Sequence, residues 1–157
     1  MEINYIKTNK KNKTSVIITT YNDAEYLKRS LPSVINQSLK PFEIIIIDDG
    51  SDNDEAELII NSFQDSTDIT IVYKKKKNGG PSSARNEGIK LAKAEFILFI
   101  DADDELLQNS IEWRQEILES LDQDYASIYC SKIEHFENKS KAAERVIETN
   151  GRLNVCL

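Results

Sequence analysis

The stretch FILFIDADDELL, residues 96–107, runs five apolar residues directly into a cluster of aspartates. An uninterrupted apolar run of this length is typical of a strand that is covered on both faces, as the strands of parallel sheets are. The cluster consists of Asp101, Asp103 and Asp104, and it follows the run at its carboxyl end. The sequence therefore predicts a buried central strand that carries three carboxylates to one edge of a sheet.

Four other apolar runs along the chain predict further strands. The five predicted strands span residues 15–20, 42–47, 69–73, 96–100 and 125–130. Helical patterns separate them. The first covers residues 24–38, and Pro32 is expected to kink or restart it. The second is capped by Asp52 or Asn53. The third covers residues 82–92 with Ile89 facing inward, and the fourth begins near Ile111. Strands that alternate with helices predict an α/β fold with a mostly parallel sheet and helices on both faces.

Polar side chains follow three of the predicted strands at their carboxyl ends. They are Thr19, Thr20, Tyr21 and Asn22 after the first strand, Asp48, Asp49, Gly50 and Ser51 after the second, and Asp101, Asp103 and Asp104 after the fourth. Parallel strands bring their carboxyl ends to one edge of the sheet, where the ligands of such folds bind. Taken singly, each cluster also fits a structural role, as helix caps after the first strand, a tight turn after the second and a helix N-cap after the fourth.

The aspartates at 101, 103 and 104 lie within four residues, and their charges repel one another. Two carboxylates at about 4 Å cost on the order of 4 kcal/mol at an effective dielectric of about 20. A positive charge would offset this cost. Oxygen ligands suit a hard cation such as Mg²⁺ or Mn²⁺, which leaves coordination positions that phosphate oxygens can fill. The alternative interpretation is an acidic helix cap exposed to solvent.

A second source of positive charge is Arg85 in the segment GGPSSARNEG, residues 79–88. The paired glycines and the proline predict a sharp entry into a helix, whose first N–H groups are available to an anion. Arg85 lies about one turn further on, where it pairs either with a phosphate or with the acidic cluster; a surface ion pair is the alternative.

The four lysines at 74–77 indicate a solvated loop, and His135 is predicted to be a surface residue.

The composition limits the classes of function. Lys and Arg number 20 against 27 Asp and Glu, so the net charge is -7 and the average surface repels nucleic acid. No apolar run reaches the roughly 18 to 20 residues of a membrane span, and the first residues lack the apolar core of a signal peptide. The two cysteines, Cys130 and Cys156, form no disulfide framework or metal-ligand spacing. These features predict a cytoplasmic protein.

Five segments, in order, resemble the nucleotide-binding half of a family 2 glycosyltransferase of the GT-A fold. They are SVIITTYN (15–22), SVINQS (33–38), EIIIIDDGSDN (43–53), GGPSSARNEG (79–88) and FILFIDADD (96–104). The resemblance implies a Rossmann-like GT-A sheet, here truncated. It also implies a nucleotide-sugar-binding domain over residues 14–132 and an incomplete C-terminal segment over residues 133–157. Residues 1–13 are polar and lysine-rich without periodicity, which predicts a flexible leader.

The resemblance implies an activity as well. A sugar would pass from a nucleoside diphosphate-sugar, expected to be a UDP-sugar, to a hydroxyl of a saccharide or lipid-linked acceptor with inversion, in surface polysaccharide or glycan synthesis. Peripheral membrane contact is compatible with a lipid-linked acceptor. The implied nucleotide-binding residues are Thr19, Tyr21, Asp49, Arg85, Asp101 and Asp103. Asp103 and Asp104 would hold Mg²⁺ or Mn²⁺.

The catalytic base that such enzymes take from a later segment has no counterpart in a recognisable motif. Glu134, Glu144 and Glu148 are the late acids of the chain. The alternative function is therefore a truncated donor-binding fragment that binds nucleotide and metal without transfer. Two other classes fit less well. A haloacid dehalogenase phosphatase carries its aspartate pair on the first strand with Gly-Thr after it, and a receiver domain carries its acidic pair after the first strand.

Overall fold

The computed structural model describes residues 11–120, 133–136 and 139–142. Within the compact unit Met1–Gln115, four strands form one sheet: β1 (Thr14–Thr20), β2 (Glu43–Asp48), β3 (Thr70–Lys75) and β4 (Phe96–Asp101). The strand order is β3-β2-β1-β4, and every pairing in it is parallel. The predicted α/β fold is confirmed. The strand predicted over residues 125–130 lies outside the described residues.

A helix follows each of these strands. They are α1 (Leu27–Ile35), which a 3₁₀ turn (Ala24–Tyr26) precedes, α2 (Glu55–Gln64), α3 (Pro81–Leu91) and α4 (Ser110–Ser120). Helix α1 continues through Pro32, so the restart predicted there is wrong. The buried side chains of α1, among them Leu31 and Val34, hold the helix against the sheet although the proline removes one backbone donor. The change of helix type lies earlier, at the 3₁₀ turn.

Helix α2 begins at Glu55, one residue later than a cap at Asn53 would place its start and two residues later than a cap at Asp52 would. Asp54 occupies the N-cap position without a capping side-chain hydrogen bond. The Oδ1 atom of Asn53 accepts a hydrogen bond from the N–H of Glu55 at 3.1 Å, which satisfies one of the free donors of the first turn. Of the two predicted caps, Asn53 therefore supplies the contact.

Helices cover both faces of the sheet, as predicted. One face packs against α1 and α2, and its buried strand residues are Val16, Ile18, Ile44, Ile46, Ile71 and Ile100. The other face packs against α3, and its buried residues are Ile17, Ile45, Ile47 and Ala84. Alternate residues of β1 and β2 thus enter opposite cores, because successive side chains of a strand point to opposite faces. This explains why both strands are apolar without interruption.

Strand β4 differs from the prediction made for it. It lies at one end of the four described strands of the sheet, and Ile97 and Phe99 are 38% and 41% exposed. Both residues lie opposite Ser15 and Ile17 in the register of β1, on the face that α3 covers. Helix α3 covers this face over β1 and β2, so among the described residues β4 is neither central nor buried on both faces.

Helix α3 approaches β1 closely at a glycine. A Cβ atom built on Gly88 would lie 2.5 Å from Cγ2 of Ile17. Its neighbour Ile89, which was predicted to face inward, is 44% exposed. That prediction was wrong because the helix presents Ala84 and Gly88 to the sheet.

In the unit Glu116–Leu157, the described residues form β5 (Ile133–Phe136) and β6 (Lys139–Ala142), which pair antiparallel. His135, predicted at the surface, lies in β5. Across the parts of the chain that the structure describes, no helix has the length and apolar character needed to cross a bilayer. The predicted leader over residues 1–13 and the domain boundary at residue 132 stay predictions.

Candidate functional site

The carboxyl ends of β1, β2 and β4 meet at one edge of the sheet. Thr19 lies opposite Asp101 in the β1–β4 register, and Thr20 lies opposite Asp48 in the β1–β2 register. The three polar clusters that the sequence distributes over more than eighty residues are therefore neighbours. This confirms that they share one edge, which is where α/β sheets bind ligands.

Asp101 is held by two donors from different elements. Thr19 Oγ1 donates to Asp101 Oδ1 at 3.2 Å, and Arg85 Nη2 donates to the same oxygen at 2.7 Å. Both side chains of the ion pair remain partly open to solvent, at 36% for Arg85 and 48% for Asp101. The structure thus brings three of the predicted site residues into contact, and Arg85 supplies the positive charge that the sequence required beside the acidic cluster.

Asp49 is enclosed by a different segment. Its side chain is 5% exposed in the ion pair with Lys76 Nζ. The N–H of Gly79 lies 3.1 Å from both carboxylate oxygens, and the N–H of Gly80 donates to Oδ2 at 2.6 Å. Burial alone would raise the pKa of Asp49, but the hydrogen bonds from Lys76, Gly79 and Gly80 outweigh burial and lower the pKa below its ordinary value. Asp49 is therefore ionised at neutral pH, and both of its carboxylate oxygens accept hydrogen bonds.

The sequence allowed Asp49 and Gly50 to form a simple turn, but in the structure they also join the loop after β2 to the loop after β3. Gly50 has φ +89, and a Cβ atom there would lie 2.8 Å from the backbone nitrogen of Asn78. A glycine is needed because the loop after β2 touches the loop after β3 at this point. Together with the Asp49 contacts, this holds the entry of α3 against the end of β2.

Tyr21 lies on the exposed side of the same edge. Its side chain is 48% exposed, while its N–H donates to Asp23 Oδ1 at 2.9 Å. Thr20 Oγ1 donates to the same aspartate oxygen, and Asn22 bonds residues after β2. The alternative role of Thr20 and Asn22 as caps of the first helix is therefore wrong, because both side chains fix the loop that carries Tyr21.

Asp103 and Asp104 lie on the exposed turn that follows β4. The N–H of Asp104 donates to the carbonyl of Asp101 at 3.0 Å, which turns the chain away from the strand. Within the described residues, no group of three acidic, histidine or cysteine side chains is arranged to hold a metal ion. The pair does fit a metal that also takes ligands from a phosphate, since Mg²⁺ is commonly bound by one or two carboxylates with substrate oxygens. The predicted metal site stays a prediction.

Sequence reasoning missed two groups of residues at this edge. Lys76 was interpreted as part of a solvated run, yet its side chain is 17% exposed in the pair with Asp49. Its neighbours Lys74 and Lys75 are exposed and pair with Glu87 and Asp54, as expected for a surface. The second group is Asn22 with Ser51 and Asp52, which the sequence placed at the ends of β1 and β2 but whose hydrogen bonds to one another it did not predict. Strand β3 itself continues to Lys75, beyond the predicted end at Tyr73, so the first two lysines of the run belong to the strand.

Comparison with known proteins agrees with this geometry. Residues 15–154 match the family described as Glycosyl transferase family 2. An uncharacterized glycosyltransferase of Rickettsia prowazekii (strain Madrid E) is 40% identical over 116 residues, which cover 74% of this chain and 35% of that protein. The poly(ribitol-phosphate) beta-N-acetylglucosaminyltransferase TarP of Staphylococcus aureus (strain N315) is 41% identical over 103 residues, which cover 64% of this chain and 31% of that protein.

A solved structure shares the fold. The crystal structure of S. aureus TarS 1-349 in complex with UDP superposes with a TM-score of 0.59 at 29% identity, covering 68% of this chain and 32% of that one. The chain spans between 15% and 37% of the length of the curated relatives named by the comparison. Apart from Thr14, the first residue of β1, the matched residues include the four parallel strands and the helices that follow them. The chain belongs to glycosyl transferase family 2 and has the GT-A fold.

Proposed function

We propose that this chain forms the donor-binding part of a glycosyltransferase that uses a nucleoside diphosphate-sugar, with UDP as the expected nucleotide. The observation that carries the proposal is the contact of Thr19, Arg85 and Asp101 at the carboxyl edge of the parallel sheet. There a guanidinium and the N-terminal turn of α3 lie beside the edge where α/β folds bind nucleotides. The relative named TarP is an N-acetylglucosaminyltransferase, and TarS has been crystallised with UDP-GlcNAc, which supports this donor class.

The base of the donor would bind beside β1 and β2. Tyr21 offers an exposed ring for stacking, and stacking on an aromatic side chain is worth about 1 to 3 kcal/mol per base. Asp49 would accept an N–H of the base edge. Because its oxygens already accept from Lys76, Gly79 and Gly80, the base N–H would replace one of these donors. Thr19 lies between this region and Asp101.

The diphosphate would bind beside Arg85 and the start of α3. A guanidinium carries five N–H donors in a planar fork, and the contact with Asp101 involves its Nη2 atom. Arg85 can therefore keep its contact with Asp101, which fixes its orientation, and direct other donors to phosphate oxygens. Its charge would stabilise the negative charge that develops on the leaving diphosphate as the bond to the anomeric carbon breaks. Attack by the acceptor hydroxyl from the opposite side would invert that carbon.

A divalent metal fits the exposed pair Asp103 and Asp104. When bound, Mg²⁺ or Mn²⁺ supplies Lewis-acid stabilisation of the diphosphate. Asp101 is a poor candidate for the same ion because Arg85 and Thr19 already donate to its Oδ1 atom. Asp101 and Asp103 would also contact the nucleotide. The acceptor is proposed to be a saccharide or a lipid-linked saccharide of a surface glycan.

Calorimetry of the whole chain tests the proposal. We expect UDP to bind more tightly than GDP, and Mn²⁺ to increase the affinity for UDP. Asp103→Ala should remove the metal-dependent increase, while Glu105→Ala, which removes the next acid along the loop and its pair with Arg29, should leave it unchanged. A donor-hydrolysis assay run in parallel separates a transferase from a chain that binds the donor without turnover. Absence of nucleoside diphosphate binding with and without metal would refute the proposal.

A further inference from the structure

Asn22 has an unusual backbone conformation at the candidate site. Among the described residues it is the one non-glycine residue with a positive φ, at 57°. This left-handed conformation is disfavoured for residues with a side chain, although asparagine tolerates it better than most. Such residues persist where the surrounding contacts hold them, and they cluster at functional sites. The contacts that hold Asn22 are therefore informative.

Three hydrogen bonds join Asn22 to the loop after β2. Its N–H donates to Ser51 Oγ at 2.8 Å, and its Nδ2 donates to Asp52 Oδ2 at 3.0 Å. Its Oδ1 accepts from the N–H of Asp52 at 2.8 Å. We call Asn22, Ser51 and Asp52 the inter-loop bridge. Because it uses both the backbone and the side chain of Asn22, it fixes the position and the orientation of this residue.

The bridge rests on a buried carboxylate at the end of β2. Asp48 is fully buried, and its Oδ1 accepts from the N–H groups of Gly50 and Ser51 at 3.0 and 2.7 Å. Its Oδ2 accepts from the Tyr73 hydroxyl at 3.1 Å. Burial and the charge of Asp48 raise the pKa of Tyr73, so this phenol stays protonated and donates. The buried Asp48 thus fixes the backbone of Ser51, and the Ser51 side chain in turn fixes the backbone of Asn22 through its hydrogen bond to the Asn22 N–H.

The residue that this arrangement presents is Tyr21. Its N–H is held by Asp23, and the next residue is held by the bridge, so its backbone is fixed on both sides. Its side chain is nevertheless 48% exposed. A pinned backbone and an open ring are what a rigid stacking platform requires, since an aromatic side chain has only two side-chain torsions left to order on binding.

We propose that Asn22 is a positioning residue. Held by Ser51 and Asp52, it fixes Tyr21 as the platform on which the base of the donor stacks. The proposal rests on the proposed function and adds the residues that determine affinity for the base as opposed to the diphosphate. Asn22 touches neither part of the donor in this role. It acts through Tyr21, by removing the need to order the loop when the base binds.

The test compares two ligands on one set of variants. Asn22→Gly keeps the left-handed backbone at no steric cost and deletes both side-chain bonds to Asp52. We expect affinity for UDP to fall roughly 10-fold, as partial loss of a stacking contact implies, while affinity for inorganic diphosphate at the same Mn²⁺ concentration stays within about 2-fold. Asp54→Ala, an exposed acid of the same loop that pairs with Lys75, is the matched control and should change neither affinity.

Two further variants separate positioning from a general structural effect. Asn22→Asp alone places two carboxylates opposite each other and should weaken UDP binding, whereas N22D/D52N exchanges the amide and the carboxylate and should restore it to within about 3-fold of wild type. In a Tyr21→Ala background, Asn22→Gly should have no additional effect on UDP.

Unchanged UDP affinity of Asn22→Gly in a chain that binds UDP would overturn this inference and leave the proposed function intact. Equal weakening of UDP and diphosphate would overturn it as well, since the loss would then not depend on the base. If the wild-type chain binds UDP no more tightly than inorganic diphosphate, the nucleoside contributes no affinity. That result would refute the platform and the donor-binding proposal together.

Discussion

Asp49 differs from Asp101, Asp103 and Asp104 at the edge of the sheet because its charge, like that of Asp48, is enclosed. It accepts hydrogen bonds from Lys76, Gly79 and Gly80, whereas Asp103 and Asp104 are exposed. Removing one partner of an enclosed, hydrogen-bonded charge pair destabilises a fold, because the other charge is then left buried without compensation. Asp49 therefore links the stability of the fold to the site.

Asp49 should make the stability of the chain dependent on pH in the acid range. Its folded pKa is lowered from an unfolded value of about 3.9, so its contribution is complete above that value and is lost as the pH falls through the folded pKa. Asp49→Asn should cost about 1 to 3 kcal/mol at pH 7 because an amide nitrogen would face N–H donors. The difference between wild type and Asp49→Asn should shrink below about pH 4, which urea unfolding at several pH values measures.

The control for this prediction is Asp68→Asn, an exposed aspartate of the loop before β3. It should change the unfolding free energy by less than about 0.5 kcal/mol at pH 7. A wild-type to Asp49→Asn difference that stays constant from pH 7 to pH 3 would show that the Asp49 carboxylate gains nothing from its contacts.

At the scale of elements, the placement of α3 against β1 sets the position of Arg85. The helix enters through Gly80, which has φ +85, with Pro81 as its first residue. It then approaches the sheet at Gly88, where a Cβ atom would lie 2.5 Å from Ile17. Both ends of the helix are thus constrained, and Arg85 lies between them within reach of Asp101.

Gly88→Ala should destabilise the chain although alanine is the better helix former. The gain in helix propensity is about 1 kcal/mol, but overpacking against Ile17 typically costs about 1 to 3 kcal/mol. We also expect weaker UDP binding, since α3 would have to shift and carry Arg85 with it. Thermal or urea unfolding with calorimetry of UDP measures both effects. Asn86→Ala, on the exposed side of the same helix, should be neutral, and a stabilised Gly88→Ala chain would contradict the close approach.

At the scale of the whole molecule, the charge distribution opposes binding to nucleic acid. The net charge is -7, and three of the four lysines at 74–77, at the end of β3, are paired: Lys74 with Glu87, Lys75 with Asp54 and Lys76 with Asp49. Counterion release requires lysines that are available to phosphates. Three lysines of this run, in the part of the chain that the structure describes, are therefore already paired with carboxylates of the protein.

An electrophoretic mobility assay with duplex DNA should accordingly show no complex at about 0.15 M salt, the physiological ionic strength. The same preparation should bind UDP in the calorimeter, which establishes that the site is folded. A complex with duplex DNA that weakens steeply as salt rises would contradict the prediction and would indicate a basic surface beyond the paired lysines.

The sequence by itself determined the parallel sheet and the edge at which the site lies. Apolar runs specify strands, and helices between them force parallel connections, so the clusters after β1, β2 and β4 had to meet. Charge made the acidic cluster one of the partners expected for Arg85, with a phosphate as the other, and the structure shows the contact with Asp101. The expected burial of β4 was wrong, because an apolar run specifies a strand without specifying its neighbours.

Only the tertiary structure decided which side chains the loops bring together. Lys76 meets Asp49 across 27 residues of sequence, and Asn22 meets Asp52 across 30. These contacts depend on loop conformations such as the left-handed backbone of Asn22, which neither periodicity nor composition encodes. Periodicity reports which face of an element is apolar, whereas a hydrogen bond between loops depends on atomic positions that exist only once both strands are paired.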